Sequence, residues 1–320
     1  MKTLIDFDDA PVFAIPMLDA AGQVTLREGM LIDGPQGWGE FSPLDADDNR
    51  TAERWLTAAI EPGTVGWPDA VRGRIAVSVS VFTTDVAVAQ QITVDAGCRA
   101  ADVRVAGHPG SLADDIVRVE AVRDALGPEG AIRCDAGGRW DVDTAVAAIA
   151  ALDAAAHGLE YITQPCRTVD ELAAVRRRTD VRIAAELRDP LRVSLTEAAD
   201  VAVLCCGPLG GVRRALRVAE SCGLPCVVSS ALETTIGLAA GLALAGALPE
   251  LPFACGLGTR MLLTGDVVAP SRSLFPVDGY LPVAPIAPPP DPDALARYAL
   301  GDPDRIARWR ERLRTAVTGT

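Results

Sequence analysis

From about residue 75 the chain repeats one unit. A short apolar run is followed by a longer Ala-rich stretch with helical character. The runs occupy residues 75–81, 101–105, 131–134, 159–162, 181–185, 201–205, 226–229 and 253–255. Helical stretches lie between them at 112–125, 142–155, 169–177, 212–221 and 235–247. The runs are apolar almost throughout and do not alternate, as expected of strands covered on both faces in a parallel sheet. Eight such strands with intervening helices predict α/β architecture and a closed TIM-type barrel. The length of 320 residues, 49% of them hydrophobic, supplies a core large enough for a barrel with an appendage.

The first 74 residues follow another pattern. Gly34-Pro35-Gln36-Gly37-Trp38-Gly39-Glu40-Phe41 reads as a hairpin feeding a strand, and residues 51–60 read as a helix. This predicts a small α+β capping domain over 1–74 and a barrel over 75–267. The tail, 268–320, contains Pro288-Pro289-Pro290 and ends in a charged helix over 304–317. It is expected to return and complete the N-terminal domain.

The net charge of −13 argues against nucleic acid and anionic membranes as partners, because both favour basic surfaces. The apolar stretch 236–248 is too short for a membrane span. No opening segment combines a basic end, an apolar run and a small-residue cleavage site, so the expected location is cytoplasmic. The eight cysteines are spread over apolar runs and read as reduced, buried thiols. Cys222 and Cys226 bracket a Gly-Leu-Pro turn, with no Cys or His pair opposite them at zinc spacing. Lys2 is the single lysine; every other basic residue apart from two histidines is Arg.

In barrels of this type chemistry gathers at the carboxyl ends of the strands. Those ends carry Asp102-Val103-Arg104, Asp135-Ala136-Gly137-Gly138, Thr163-Gln164-Pro165-Cys166, Glu186-Leu187-Arg188, Cys205-Cys206-Gly207-Pro208, Ser229 to Glu233, and Gly256 to Arg260. Several longer motifs accompany them. They include Leu159-Glu160-Tyr161-Ile162-Thr163-Gln164-Pro165-Cys166, Pro208-Leu209-Gly210-Gly211-Val212, Val227-Val228-Ser229-Ser230-Ala231-Leu232-Glu233 and Ala254-Cys255-Gly256-Leu257-Gly258-Thr259. With Gly37-Trp38-Gly39-Glu40-Phe41 and Ser111-Leu112-Ala113-Asp114-Asp115-Ile116, they make the chain resemble the actinobacterial o-succinylbenzoate synthases of the enolase superfamily.

That resemblance implies a (β/α)7β barrel with an N-terminal α+β cap. It also implies an enzyme that removes water from a cyclohexadiene carboxylate through an enediolate held on magnesium, with lysines moving protons. The departures fall at those positions. Where the family carries Lys-x-Lys on the second strand, this chain has Asp102-Val103-Arg104. Asp135 retains the first metal-ligand position, Thr163 stands at the second, and Glu186 lies near the third in a shortened run, 184–190. Cys205 replaces the family's lysine on the sixth strand.

Guanidinium stays protonated near neutrality, so Arg104 is no general base; it reads either as the ion-pair partner of Asp135 or as a contact for a substrate carboxylate. Cys205 reads as an apolar filler or as a nucleophile whose pKa Arg104 lowers. Ser229, Ser230 and Thr259 match substrate-contacting positions of the family, and their bland alternative is hydrogen bonding at the barrel end. Glu233 reads as a second acid at the mouth or as a cap on the next helix. His108 sits in a loop beside the mouth, and His157 lies at the opposite end.

The expected functional set is therefore Arg104, Asp135 and Cys205 as catalytic centre, with Thr163, Glu186, Ser229, Ser230, Glu233, Thr259 and Arg260 contacting substrate. No metal ligand set and no cofactor are expected, and the partner is a small carboxylated or cyclic molecule. The leading function is a metal-independent lyase, dehydratase or cyclase. A non-catalytic ligand- or partner-binding barrel is the alternative, and an o-succinylbenzoate synthase with an unusual site is the second alternative.

Overall fold

The computed structural model describes residue 5 and residues 7–18, 24–187 and 195–319. Lys2 and the end of the shortened run, Arg188-Asp189-Pro190, lie outside the described residues. Three strands open the described chain: β1 (Val12–Pro16), β2 (Leu26–Gly34) and β3 (Gly37–Phe41), in a three-stranded antiparallel sheet ordered β1-β2-β3. The expected hairpin is present, with Gly34 opposite Gly37 across Pro35-Gln36. Helix α1 (Asn49–Thr64) starts where the Asp48 carboxylate accepts the Thr51 N–H at 2.8 Å. It lies directly on β3, so closely that a Cβ on Gly39 would sit 1.9 Å from the Ala59 carbonyl oxygen.

The barrel sheet is parallel and seven-stranded: β5 (Val79–Val81), β6 (Ala100–Arg104), β7 (Ala131–Asp135), β8 (Tyr161–Thr163), β9 (Ile183–Glu186), β10 (Val201–Leu204) and β11 (Cys226–Val228), in sequence order across the sheet. The expected run 75–81 is divided. Its first part, β4 (Arg74–Ala76), pairs antiparallel with β12 (Tyr280–Pro282), and only β5 enters the barrel.

The eighth expected strand, 253–255, is reduced to two bridges. Cys255 bridges Val77, and Gly256 bridges Ser229. The Cys255 N–H donates to Ala76 (2.8 Å), Ser78 N–H to Cys255 (2.9 Å) and Gly256 N–H to Val228 (2.8 Å), which closes the ring. Pro252, which has no N–H, and the glycines at 256 and 258 explain why pairing stops there.

The helices expected from the Ala-rich stretches are present as α3 (Leu112–Leu126), α4 (Val142–Ala156), α5 (Val169–Arg176), α7 (Val212–Cys222) and α8 (Thr235–Ala247). Two further helices alternate with the strands, α2 (Val86–Asp95) and the one-turn α6 (Cys206–Leu209). α2 is rich in β-branched residues, which hides its helical pattern. An Asp85 cap on the Val88 N–H and buried Ala89 and Thr93 hold it in place.

The chain closes with α9 (Pro292–Tyr298) and α10 (Pro303–Thr318). Leu300 N–H donates to Val12 (2.9 Å), and Trp309, Leu313 and Ala316 of α10 pack with Met30, Phe41, Trp55 and Ala59. Arg312 donates to the carbonyls of Pro43, Leu44 and Asp47. All eight cysteines are free thiols; Cys205 and Cys222 are half-buried and the other six buried.

Candidate functional site

The carboxyl ends of the barrel strands open into a cavity of about 1170 Å³. Asp47 and Thr51, around the start of α1, form part of its rim, so the N-terminal layer overhangs the barrel mouth. Arg104, Asp135, Thr163, Glu186, Cys205, Ser229, Ser230 and Thr259 all line this space.

Three neighbouring strands bring the first residues together in register. Arg104 lies opposite Asp135, and Asp135 opposite Thr163. Arg104 Nη1 and Asp135 Oδ2 form an ion pair, and the other carboxylate oxygen accepts the Gly137 N–H at 2.9 Å. Gly137 has φ +59°, and a Cβ there would meet Arg104 Nη2 at 2.6 Å, so a glycine lets the guanidinium lie across the turn. Neither partner is sealed off: the Arg104 side chain is 35% exposed and that of Asp135 21%. Burial raises the Asp135 pKa, the Arg104 charge opposes the rise, and the nearby Glu186 charge adds to it.

Cys205 faces the same cavity, in surroundings that oppose the activated-thiolate reading of this residue. Burial first, and then the Glu233 charge, push its thiol well above the ordinary range. Its Sγ points at Glu233 Oε1, 3.9 Å away. Glu233 itself is buried at 4% exposure and accepts the Ala231 N–H at 2.7 Å. Burial, with Glu40 beside it, raises its carboxyl pKa to about 7.

The chain matches the enolase N-terminal domain-like family over residues 12–63 and the enolase C-terminal domain-like family over residues 85–288. An o-succinylbenzoate synthase of Thermobifida fusca is 54% identical over 276 residues, which is 85% of this chain and 86% of that protein. The o-succinylbenzoate synthase of Mycolicibacterium smegmatis is 46% identical, over 92% of this chain and 91% of its own. The chain belongs to the o-succinylbenzoate synthase family. Its enolase-superfamily fold is shared with the muconate lactonizing enzyme of Pseudomonas fluorescens, at a TM-score of 0.78 and 21% identity over 94% of this chain and all of that one.

In this o-succinylbenzoate synthase family member two expected contacts are displaced. Arg260 is turned into the protein. Its Nε meets Asp266 at 2.7 Å and Ser273 Oγ at 2.8 Å, its Nη1 meets the Leu263 carbonyl at 2.9 Å, and it is 5% exposed. It anchors the segment after the barrel and does not reach the cavity.

Glu233 is neither at the mouth nor a cap, because the Thr234 side chain caps α8. It lies behind the Cys205 wall, beside Glu40. Glu40 is held in turn by Ser42 Oγ (2.6 Å) and the N–H groups of Thr234 (3.0 Å) and Gly237 (3.2 Å). Ser230 and Thr259 hydrogen-bond to each other at 2.6 Å, so these family positions are mutually engaged at the barrel end. His108 is exposed on the rim with Nδ1 3.0 Å from the Pro109 carbonyl, and His157 ends α4 at the far side.

Sequence reasoning missed the floor of the family cavity. Asp102 and Tyr161 line it, above a fully buried Arg133. Ser78 Oγ donates to Asp102 Oδ2 at 2.8 Å. Arg133 Nη1 donates to the Tyr161 hydroxyl, and its Nε lies 3.8 Å from Asp102 and 3.3 Å from Glu160. The available signal was Arg133 itself, a charged residue in the middle of an apolar strand.

Proposed function

We propose that this family member binds a small carboxylated or cyclic metabolite in the barrel cavity and acts on it as a lyase by metal-independent acid–base chemistry. The Arg104–Asp135 pair is the observation that carries the reading. Arg104 spends one N–H on Asp135 and stays a third exposed, so its remaining donors face the cavity and suit a ligand carboxylate or a developing oxyanion. Asp135, raised by burial and steadied by Arg104, supplies a carboxylate for proton transfer next to that anchor. Cys205, held as a thiol, contributes shape and a weak donor, not a nucleophile.

The residues present do not fit the magnesium ion implied by the family resemblance. Magnesium wants near-octahedral oxygen ligands anchored by carboxylates. Here a guanidinium already sits on Asp135, where it would repel a second cation, and Thr163 offers only a neutral hydroxyl. A second reading, ligand binding without turnover, is favoured by the protonated Cys205 and the mutually engaged Ser230–Thr259 pair.

The test starts with calorimetric magnesium titration and with turnover of the cyclohexadiene carboxylate used by the family. We expect no magnesium binding at millimolar concentration and turnover far below about one per second. Stoichiometric magnesium with family turnover would return the chain to ordinary o-succinylbenzoate synthase chemistry. A screen of small cyclic carboxylates by thermal shift, in chelator, then separates the two remaining readings. Arg104→Met should abolish the stabilisation under both, whereas product formation occurs only under the first, and there Asp135→Asn should lower it by about 100-fold or more.

A further inference from the structure

We propose that Cys222 and Cys226 form an oxidation site that closes reversibly into an intramolecular disulfide. The site is at the other end of the barrel from the cavity. Cys222 is the last residue of α7 and Cys226 the first of β11. Between them Gly223, with φ +68°, reverses the chain and Pro225 leads it into the strand. The turn leaves the two sulfurs 3.7 Å apart in direct contact. A disulfide needs about 2.05 Å, so closure brings the sulfurs together by roughly 1.7 Å.

The two thiols are not equivalent. Cys222 is half-buried and reachable from solvent, while Cys226 is 7% exposed. The two sulfurs share one hydrogen-bond contact, which favours loss of a proton from one member of the pair, and burial opposes it more at the less exposed Cys226. Cys222, the member that solvent reaches, is the attacking thiolate and the more buried Cys226 the resolving thiol.

With hydrogen peroxide as oxidant, the Cys222 thiolate attacks one oxygen, the O–O bond breaks, and hydroxide leaves and takes up a proton. Cys222 becomes a sulfenic acid. Cys226 then attacks the Cys222 sulfur, the S–O bond breaks, and a second water leaves. Two thiols and one peroxide give one disulfide and two waters. A dithiol reductant returns both thiols. Cys98, Cys205 and Cys206 direct their sulfurs at oxygen acceptors, and the six cysteines outside the pair serve as internal controls.

The experiment treats the whole protein with a small excess of peroxide, blocks remaining thiols in denaturant, and maps the products by mass spectrometry. The expected result is loss of two hydrogen atoms, six blocked cysteines, a single 222–226 crosslink, and full recovery with dithiothreitol. In Cys226→Ala, a dimedone-type reagent should trap the sulfenic acid on Cys222; Cys222→Ser should give neither adduct nor crosslink. Circular dichroism on each variant verifies folding, and the wild-type map decides the matter if a variant fails to fold. Eight blocked cysteines after peroxide, a crosslink elsewhere, or a Cys222 sulfenic acid that persists in the wild type would overturn the proposal.

Discussion

At the scale of single residues, the cavity and the wall behind it differ in the way charge is held. Asp135 meets a cation, whereas Glu233 meets Glu40 and a thiol. A carboxyl group with a folded-state pKa near 7 and an ordinary value near 4.5 is protonated in the fold at pH 5 and loses its proton as pH rises. Because its folded pKa is raised, its contribution to stability is complete below about pH 4.5 and disappears as pH climbs through 7. Glu233→Gln is uncharged at both ends of that window and keeps an oxygen for the Ala231 N–H. Urea denaturation at pH 5 and pH 8 should show that the variant loses less stability across the interval than the parent, by up to about 3 kcal/mol. Equal pH dependence in the two proteins would mean that Glu233 is ionised throughout.

At the scale of elements, the parts with one strong local signal were legible from sequence. Apolar runs became β6, β7, β9, β10 and β11, and Ala-rich stretches became α3, α4, α5, α7 and α8 to within a residue or two. What escaped was set by tertiary context. α2 is stabilised by its cap and its buried face more than by propensity, and the run 75–81 divides because β4 finds an antiparallel partner far along the chain in β12. In the site, Arg104 and Asp135 were readable because both end strands. Arg260 was misplaced because nothing in Gly-Leu-Gly-Thr-Arg reveals that Asp266 will capture it.

Contact between elements can be tested at Gly39. An added methyl would be driven into the α1 backbone, 1.9 Å from the Ala59 oxygen and 2.7 Å from its carbon, so β3 or α1 must move. Gly39→Ala should cost about 3 kcal/mol in chemical denaturation. Gly73→Ala, with nothing within 4 Å, is the control and should change stability by less than about 1 kcal/mol.

At the scale of the whole molecule, the barrel is not uniformly joined. β6 and β7 share a five-residue register, whereas the circle is completed between β11 and β5 by one bridge on each side of Cys255-Gly256. Hydrogen–deuterium exchange should therefore find the amides of Ser78, Cys255 and Gly256 less protected than those of Val103 and Cys134; protection equal to that of β7 would show a seam as cooperative as the rest of the barrel. The same seam carries Ser229, Gly256 and Thr259 on the cavity wall. A joint of this kind makes the barrel behave like a split ring. Its circumference can yield at one place without loss of the sheet, and the side that yields is a wall of the chamber.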